Sequence, residues 1–243
     1  MYKFIPSFII SVLFINGLIA QTVEPSSSVA KNLLQIELES LYTIQKEKSI
    51  KLESISIPSA LFRFGITHQL ELQLNTPIIK ERLWENDHLI HSLNKFDDIQ
   101  VGFSVNLWQE KKWIPEASLM IRAILPTDSK FEISKIGKLC SLNLSHTLTN
   151  KFTFYSNIGY VEETDNSKSG FYIANLCFEA NSKIHFFIEN FGDFNHQKLI
   201  SHNINLGGGY NFNQNLMVDI SIANGINHHM FYVGGIITYA FEL

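Results

Sequence analysis

The chain has 243 residues, of which 45% are hydrophobic, 12% aromatic and 17% charged, and its formal net charge is −4. This length is ample for one domain and gives no reason to expect a second, and the acidic balance argues against nucleic acid as a partner. After Gln21 no run of about 20 apolar residues occurs, which excludes a helical membrane protein.

The N-terminus predicts export from the cytoplasm. Lys3 precedes an apolar run from Phe4 to Ile15, and Ala20 offers a small residue for cleavage before Gln21. We therefore expect a secretory signal peptide over residues 1–20, with an uncleaved membrane anchor as the alternative. Residues 21–32 are Ser-rich and are expected to be a flexible N-terminal lead-in or a short plug.

Strict alternation of apolar with small or polar residues predicts that residues 33–243 form a β-barrel. Ile99–Leu107 alternates without an error, as a strand with one lipid-facing and one lumen-facing side requires. A closed barrel also leaves no unpaired sheet edge in lipid. The pattern predicts an antiparallel up-and-down transmembrane barrel of about 12 strands, over Leu33–Gln45, Ile50–Ile66, Gln69–Arg82, Asp97–Gln109, Trp113–Leu125, Ile136–Leu148, Phe152–Val161, Gly170–Ala180, Ile184–Phe191, Leu199–Phe212, Leu216–Asn224 and Met230–Leu243.

The predicted connections alternate between long and short. Long polar stretches cover Trp84–Phe96 and Thr127–Lys135, whereas Glu110–Lys112 and Thr149–Lys151 are short. Outer-membrane barrels show this asymmetry, with tight periplasmic turns and longer external loops, and an even number of strands puts both termini in the periplasm. A soluble sandwich has no reason to alternate in this way.

The last strand indicates the membrane and the route of insertion. Phe231, Val233, Ile237, Tyr239 and Phe241 share one face, with aromatic residues at both ends, as interfacial girdles require. The strand resembles the C-terminal signal that the barrel-assembly machinery of Gram-negative bacteria recognises. We therefore expect the cell outer membrane as the location, with its lipid and this machinery as partners.

Charged residues of both signs fall on the face opposite the apolar one. Leu70, Leu72 and Leu74 are assigned to lipid, which turns Glu71 and Gln73 inward. The same argument gives seven candidate lumen or constriction residues: Arg63, Glu71, Glu116, Arg122, His185, Glu189 and Asp219. Such residues either filter solutes at a constriction or pair across the lumen and stiffen the barrel.

Enzyme and metal signatures are lacking in the sequence. It contains no Gly-x-Ser-x-Gly, His-Glu-x-x-His or Cys-x-x-Cys, so no catalytic residue, cofactor or metal site is expected. A remote alternative is an outer-membrane lipid hydrolase, because His146 and His202 fall on apolar faces. The residues two positions on are Leu148 and Ile204 rather than serine. Cys140 and Cys177 are assigned to opposite faces, which disfavours a disulfide.

Five short motifs, in this order, resemble the outer-membrane family named for the meta-pathway of phenol degradation: Ser59–Leu72, Asp98–Gly102, Leu125–Thr127, Phe187–Glu189, and Gly207–Tyr210 leading to Asp219. The resemblance implies an outer-membrane channel or transporter without a defined substrate, and its name does not imply phenol-degrading activity. It also places Arg63, Glu71, Glu189 and Asp219 on recurring family positions.

Two functions remain open from the sequence. The first is a passive channel for small solutes, with hydrophobic or aromatic ones among the candidates. The second is a closed barrel that serves a structural or binding role without transport.

Overall fold

A computed structural model describes residues 23–127, 135–195 and 200–243. The predicted signal peptide and most of the predicted Thr127–Lys135 loop lie outside them. No helix in the described part of the chain is long and apolar enough to cross a membrane. The described residues form thirteen strand segments: β1 (Leu33–Glu47), β2 (Ile50–Gly65), β3 (Leu70–Glu85), β4 (His88–Phe96), β5 (Ile99–Trp108), β6 (Glu116–Leu125), β7 (Gly137–Thr149), β8 (Phe152–Glu162), β9 (Lys168–Glu179), β10 (Ile184–Phe194), β11 (Asn203–Asn211), β12 (Leu216–Gly225) and β13 (His229–Glu242).

The strands form one closed antiparallel barrel. Apart from β4 and β5, each strand pairs with the next one in sequence, and β1 pairs with both β2 and β13, which closes the sheet. The segments β4 and β5 pair in succession with the same strand, β3, so together they occupy one position. The barrel therefore has twelve strand positions, as the alternation predicts. We call the end where β1 begins and β13 ends the terminal end, and the other the loop end.

The predicted long loop over Trp84–Phe96 is wrong. This stretch continues β3 and returns as β4 through a two-residue turn at Asn86 and Asp87, whose φ angles are 48° and 62°. Positive φ at both central residues is the geometry of the hairpin turn that matches strand twist, and Asn and Asp tolerate it. The Lys48–Ser49 connection is equally short. Long and short connections therefore alternate only in part.

The two faces of the wall differ as the alternation predicts. Leu72, Phe186 and Ile220 are exposed on the outside, whereas Glu71, Glu189 and Asn205 are buried inside. The exterior carries the exposed apolar side chains that a lipid-facing belt requires. The Leu70, Leu72 and Leu74 assignment therefore agrees with the burial of their neighbours Glu71 and Gln73.

The lumen contains both apolar clusters and buried polar groups. One apolar cluster comprises Met120, Ile124, Leu139, Val161 and Phe171. A second apolar cluster contains Leu41, Ile173, Phe191, Ala223, Met230 and Tyr232. The other buried side chains are mostly amides, hydroxyls and charged groups, and one of them, Arg122, is paired with Leu139 in the sheet register. A molecule in the lumen therefore meets apolar and polar side chains next to each other.

Candidate channel lumen

Arg63 and Glu71 form the centre of the charged wall. Arg63 on β2 donates to Glu71 Oε1 on β3 through Nε and Nη2, each at 2.8 Å, and its Nη1 lies 3.4 Å from Glu37 Oε1 on β1. Arg63 and Glu71 are both almost fully buried. Two carboxylates thus compensate one guanidinium within the wall, which lowers the cost of burying these charges.

Arg122 on β6 joins the same network through an amide. Its Nε donates to Gln73 Oε1 at 2.8 Å, and Gln73 Nε2 donates to Glu71 Oε1 at 2.6 Å. Gly102 on β5 lies directly between Arg122 and Gln73 in the sheet register. A Cβ at Gly102 would lie 2.9 Å from Arg122 Cγ, so the glycine allows the arginine to cross the strand.

Glu116 lies apart from this network, near the terminal end. Its Oε1 accepts a hydrogen bond from Asn106 Nδ2 at 2.8 Å, and its Oε2 accepts one from Ser26 Oγ at 3.0 Å. Ser145 Oγ also lies 3.3 Å from Oε2. Glu116 therefore contacts neutral partners, one of which belongs to the segment that precedes β1.

The opposite side of the barrel holds the other three predicted residues. Glu189 on β10 lies between Asn175 and Asn205 in the register and accepts hydrogen bonds from their amides at 3.0 and 3.3 Å. His185 Nε2 lies 2.7 Å from Asp219 Oδ1 across Gly209 of β11. All seven predicted residues thus point inward, although they form four separate groups rather than one ring of contacts.

Residues 23–32, which we call the N-terminal segment, enter the lumen from the terminal end. Asn32 bonds to Gly65 O at the terminal end, and Val29 N donates to Glu71 Oε2 at 2.6 Å. Further along, Glu24 exchanges two backbone hydrogen bonds with the Asn157 side chain, at 2.8 and 2.9 Å. The segment thus runs from the terminal end to the middle of the barrel. A Cβ at Gly65 would lie 2.1 Å from Ala30 O, so this glycine permits the close approach.

A cavity of about 130 Å³ borders the N-terminal segment. Its lining includes the polar residues Glu37, Glu39, Gln100 and Arg122. It also includes the apolar residues Met120, Leu139, Phe171, Ile173 and Ile236. The cavity is therefore amphipathic, and Val23, Glu24 and Pro25 line it as well.

Several lumen groups were not singled out by the sequence analysis. They include Glu24, Glu37 and Glu39, and the buried amides of Asn143, Asn157, Asn175 and Asn205. Period-two alternation could have found the wall residues, because each lies an even number of positions along its strand from a residue that faces the lumen. It could not have found Glu24, which lies outside any strand.

The histidines considered for catalysis contact neighbouring polar side chains, and the cysteines considered for a disulfide are not bonded to each other. His146 Nδ1 lies 2.7 Å from Glu110 Oε1, and His202 contacts Tyr172 and Asn190. Cys140 and Cys177 are both free thiols. The described residues contain no group of three or more His, Cys, Asp or Glu side chains that lie close enough together to hold a metal ion.

Comparison with known proteins settles the family. A family profile described as "Putative MetA-pathway of phenol degradation" matches residues 60–241. The chain belongs to this family. No curated protein sequence matches it significantly.

Solved structures show the same fold at low sequence identity. The COG4313 outer membrane channel from Pseudomonas putida F1 is 8% identical, with a TM-score of 0.66 over 90% of this chain and 100% of that one. The translocator domain of autotransporter NalP from Neisseria meningitidis is 8% identical, with a TM-score of 0.58 over 88% and 90%. KdgM porin is 13% identical, with a TM-score of 0.51 over 85% and 99%. The chain therefore has the closed-barrel fold of Gram-negative outer-membrane channels.

Proposed function

We propose that the chain is a passive channel for small solutes in the outer membrane of a Gram-negative bacterium. The observation that carries this proposal is the lumen, where buried charged and amide side chains surround a cavity inside an apolar exterior. A barrel that served only as a membrane anchor would not need a cavity lined by both polar and apolar groups. The channel names of the structural neighbours COG4313 and KdgM are consistent with this role.

Apolar side chains near the loop end favour small solutes with a hydrophobic or aromatic part. Under the predicted topology the loop end faces outward. A solute that enters there contacts Ile124, Leu139, Val161 and Phe171, and Arg122 lies beside this apolar cluster. Passage requires neither a cofactor nor an energy source, and we propose no catalytic activity.

The lipid-hydrolase alternative has no support from the histidines. His146 pairs with Glu110, and His202 contacts Tyr172 and Asn190, so neither has the serine partner that nucleophilic catalysis requires.

Recognition by the barrel-assembly machinery is supported by the outward face of β13, where Phe231, Val233, Ile237 and Tyr239 are exposed.

A closed structural barrel is the second candidate, because the N-terminal segment fills part of the lumen and is hydrogen-bonded to wall side chains at several points. The contacts of Val29 with Glu71 and of Glu24 with Arg122 favour it most directly. In that case the paired charges stiffen the wall rather than select solutes.

Solute flux into proteoliposomes tests the two candidates. We would compare the wild type with a variant that lacks residues 23–29, using a small neutral sugar, and use Glu85→Gln at the β3–β4 turn as the matched control. A channel should admit the sugar, and the deletion should increase the rate while Glu85→Gln leaves it unchanged. A folded barrel that stays impermeable even without residues 23–29 would contradict the channel and leave the structural role.

A further inference from the structure

The two arginines of the lumen differ in where their counter-charges come from. Arg63 is paired with Glu71 and Glu37, which both belong to the barrel wall. Arg122 contacts the neutral amides of Gln73 and Gln100 in the wall, at 2.8 and 3.3 Å. Its ion-pair partner among the described residues is Glu24 of the N-terminal segment, at 2.6 Å from Nη2. The wall alone therefore leaves Arg122 without a carboxylate.

Glu24 is held in the manner of a bound ligand. The Arg122 guanidinium binds its carboxylate, while the Asn157 side chain binds its backbone N–H and C=O. None of these contacts comes from a neighbouring residue in the chain, and Arg122 and Asn157 are both almost fully buried. The wall thus provides a preformed carboxylate site, and the chain occupies the site with its own side chain.

The surroundings of this site fit a carboxylate that carries an apolar body. Met120, Leu139, Phe171 and Ile173 line the cavity beside Arg122. The cavity has a volume of about 130 Å³. An apolar cavity of about 150 Å³ is large enough to bind benzene. The carboxylate of such a solute would take the place of the Glu24 carboxylate on Arg122, so the cavity has to hold only a ring or chain of about the size of benzene against its apolar lining residues.

We propose that Arg122 is the binding site for the carboxylate of small apolar solutes, and that Glu24, whose backbone is held by Asn157, occupies this site in competition with the solute. The incoming carboxylate replaces that of Glu24 as the counter-charge of Arg122, so the guanidinium stays compensated when the solute is bound, and the displaced Glu24 side chain has to leave the site. The proposal deepens the proposed function, because a solute has to enter the lumen in order to compete.

Titration calorimetry on the detergent-solubilised barrel tests this competition. Benzoate is the probe, and benzamide is its uncharged counterpart. Glu24→Gln should bind benzoate about tenfold more tightly than the wild type if Glu24 fills the site in about nine molecules of ten. Arg122→Gln should lose benzoate binding, and benzamide should bind no variant with comparable affinity. Arg82→Gln, at a half-buried arginine of β3 whose carboxylate neighbour is Glu53 rather than Glu24, is the matched control and should behave as the wild type.

Equal benzoate affinity in the wild type and Glu24→Gln would overturn the proposal. So would equal affinity for benzamide and benzoate. The comparison of the wild type with Glu24→Gln does not involve the Arg122 variant, so it holds even if Arg122→Gln fails to fold. Glu24 itself lies outside the strands. If benzoate binds as predicted but no solute crosses the barrel, the binding site is supported and the channel is rejected. If solute crosses the barrel but benzoate does not bind as predicted, the channel is supported and the binding site is rejected.

Discussion

Glu71 and Glu189 bind the backbone at the two ends of one stretch of the N-terminal segment. Glu71 Oε2 accepts a hydrogen bond from Val29 N at 2.6 Å, and Glu189 accepts one from the backbone of Val23. The two carboxylates lie on β3 and β10, which are six positions apart in a ring of twelve and therefore face each other. The segment thus spans the lumen from one wall to the opposite wall.

These two carboxylates should differ in their contribution to stability. Glu71→Ala leaves Arg63 buried with Glu37 at 3.4 Å as its remaining partner. Loss of one partner of a buried ion pair costs about 3–5 kcal/mol. Glu189→Ala removes hydrogen bonds to the neutral amides of Asn175 and Asn205, which costs about 1–3 kcal/mol. Equilibrium unfolding by guanidinium in lipid vesicles measures both, and equal losses would contradict the assignment.

A side chain at Gly209 is predicted to displace His185 and Asp219. A Cβ there would lie 2.0 Å from Asp219 Oδ1 and 2.4 Å from His185 Cε1, so Gly209→Ala must displace this pair. Overpacking of this kind costs about 1–3 kcal/mol. At Gly235 the nearest atom to a Cβ is Asp219 O at 3.2 Å, so Gly235→Ala is the matched control with a smaller effect. Thermal unfolding in detergent compares them, and equal midpoints for both variants would contradict this account.

The loop between β8 and β9 should make stability depend on pH. Burial, together with the nearby carboxylates of Asp165, Asp97, Asp98 and Asp193, raises the pKa of Glu163 from 4.5 to about 7. The folded protein therefore binds this proton more tightly than the unfolded chain. The resulting stability is fully present below pH 4.5 and is lost as the pH rises to about 7.

Glu163→Gln should weaken this pH dependence. The expected result is a smaller fall in the thermal unfolding midpoint between about pH 5 and about pH 8 than the wild type shows. Glu85→Gln, at the exposed β3–β4 turn, should keep the wild-type profile. An identical fall in the wild type and Glu163→Gln would show that Glu163 does not hold its proton in this range.

The wall could be predicted from the sequence because its side chains alternate strictly between two environments. A period of two fixed the inward direction of Arg63, Glu71 and Glu189 once Leu72 and Phe186 were assigned to lipid. In contrast, β4 was missed because most of its side chains are exposed. It therefore has no buried face to impose alternation, and Leu89 and Ile90 are both exposed.

The position of the N-terminal segment could not be derived from a side-chain pattern. Val23, Glu24 and Val29 are held through backbone groups, and these are the same in every sequence. A glycine at position 65 indicates that another part of the chain packs closely against it, but it does not identify that part as Ala30. The sequence therefore left a flexible lead-in and a plug both open.

The most direct test of the channel is to lock and release the N-terminal segment in a single molecule. Ser26 Oγ lies 2.6 Å from Ser145 Oγ, so Ser26→Cys with Ser145→Cys should form a disulfide when Cys140 and Cys177 are replaced by serine. Single-channel conductance is then recorded in a planar bilayer before and after reduction, with Ser26→Cys alone as the control. We predict a low conductance in the oxidised protein that rises on reduction. A conductance that is absent, or unchanged on reduction of a verified disulfide, would contradict a channel restricted by this segment.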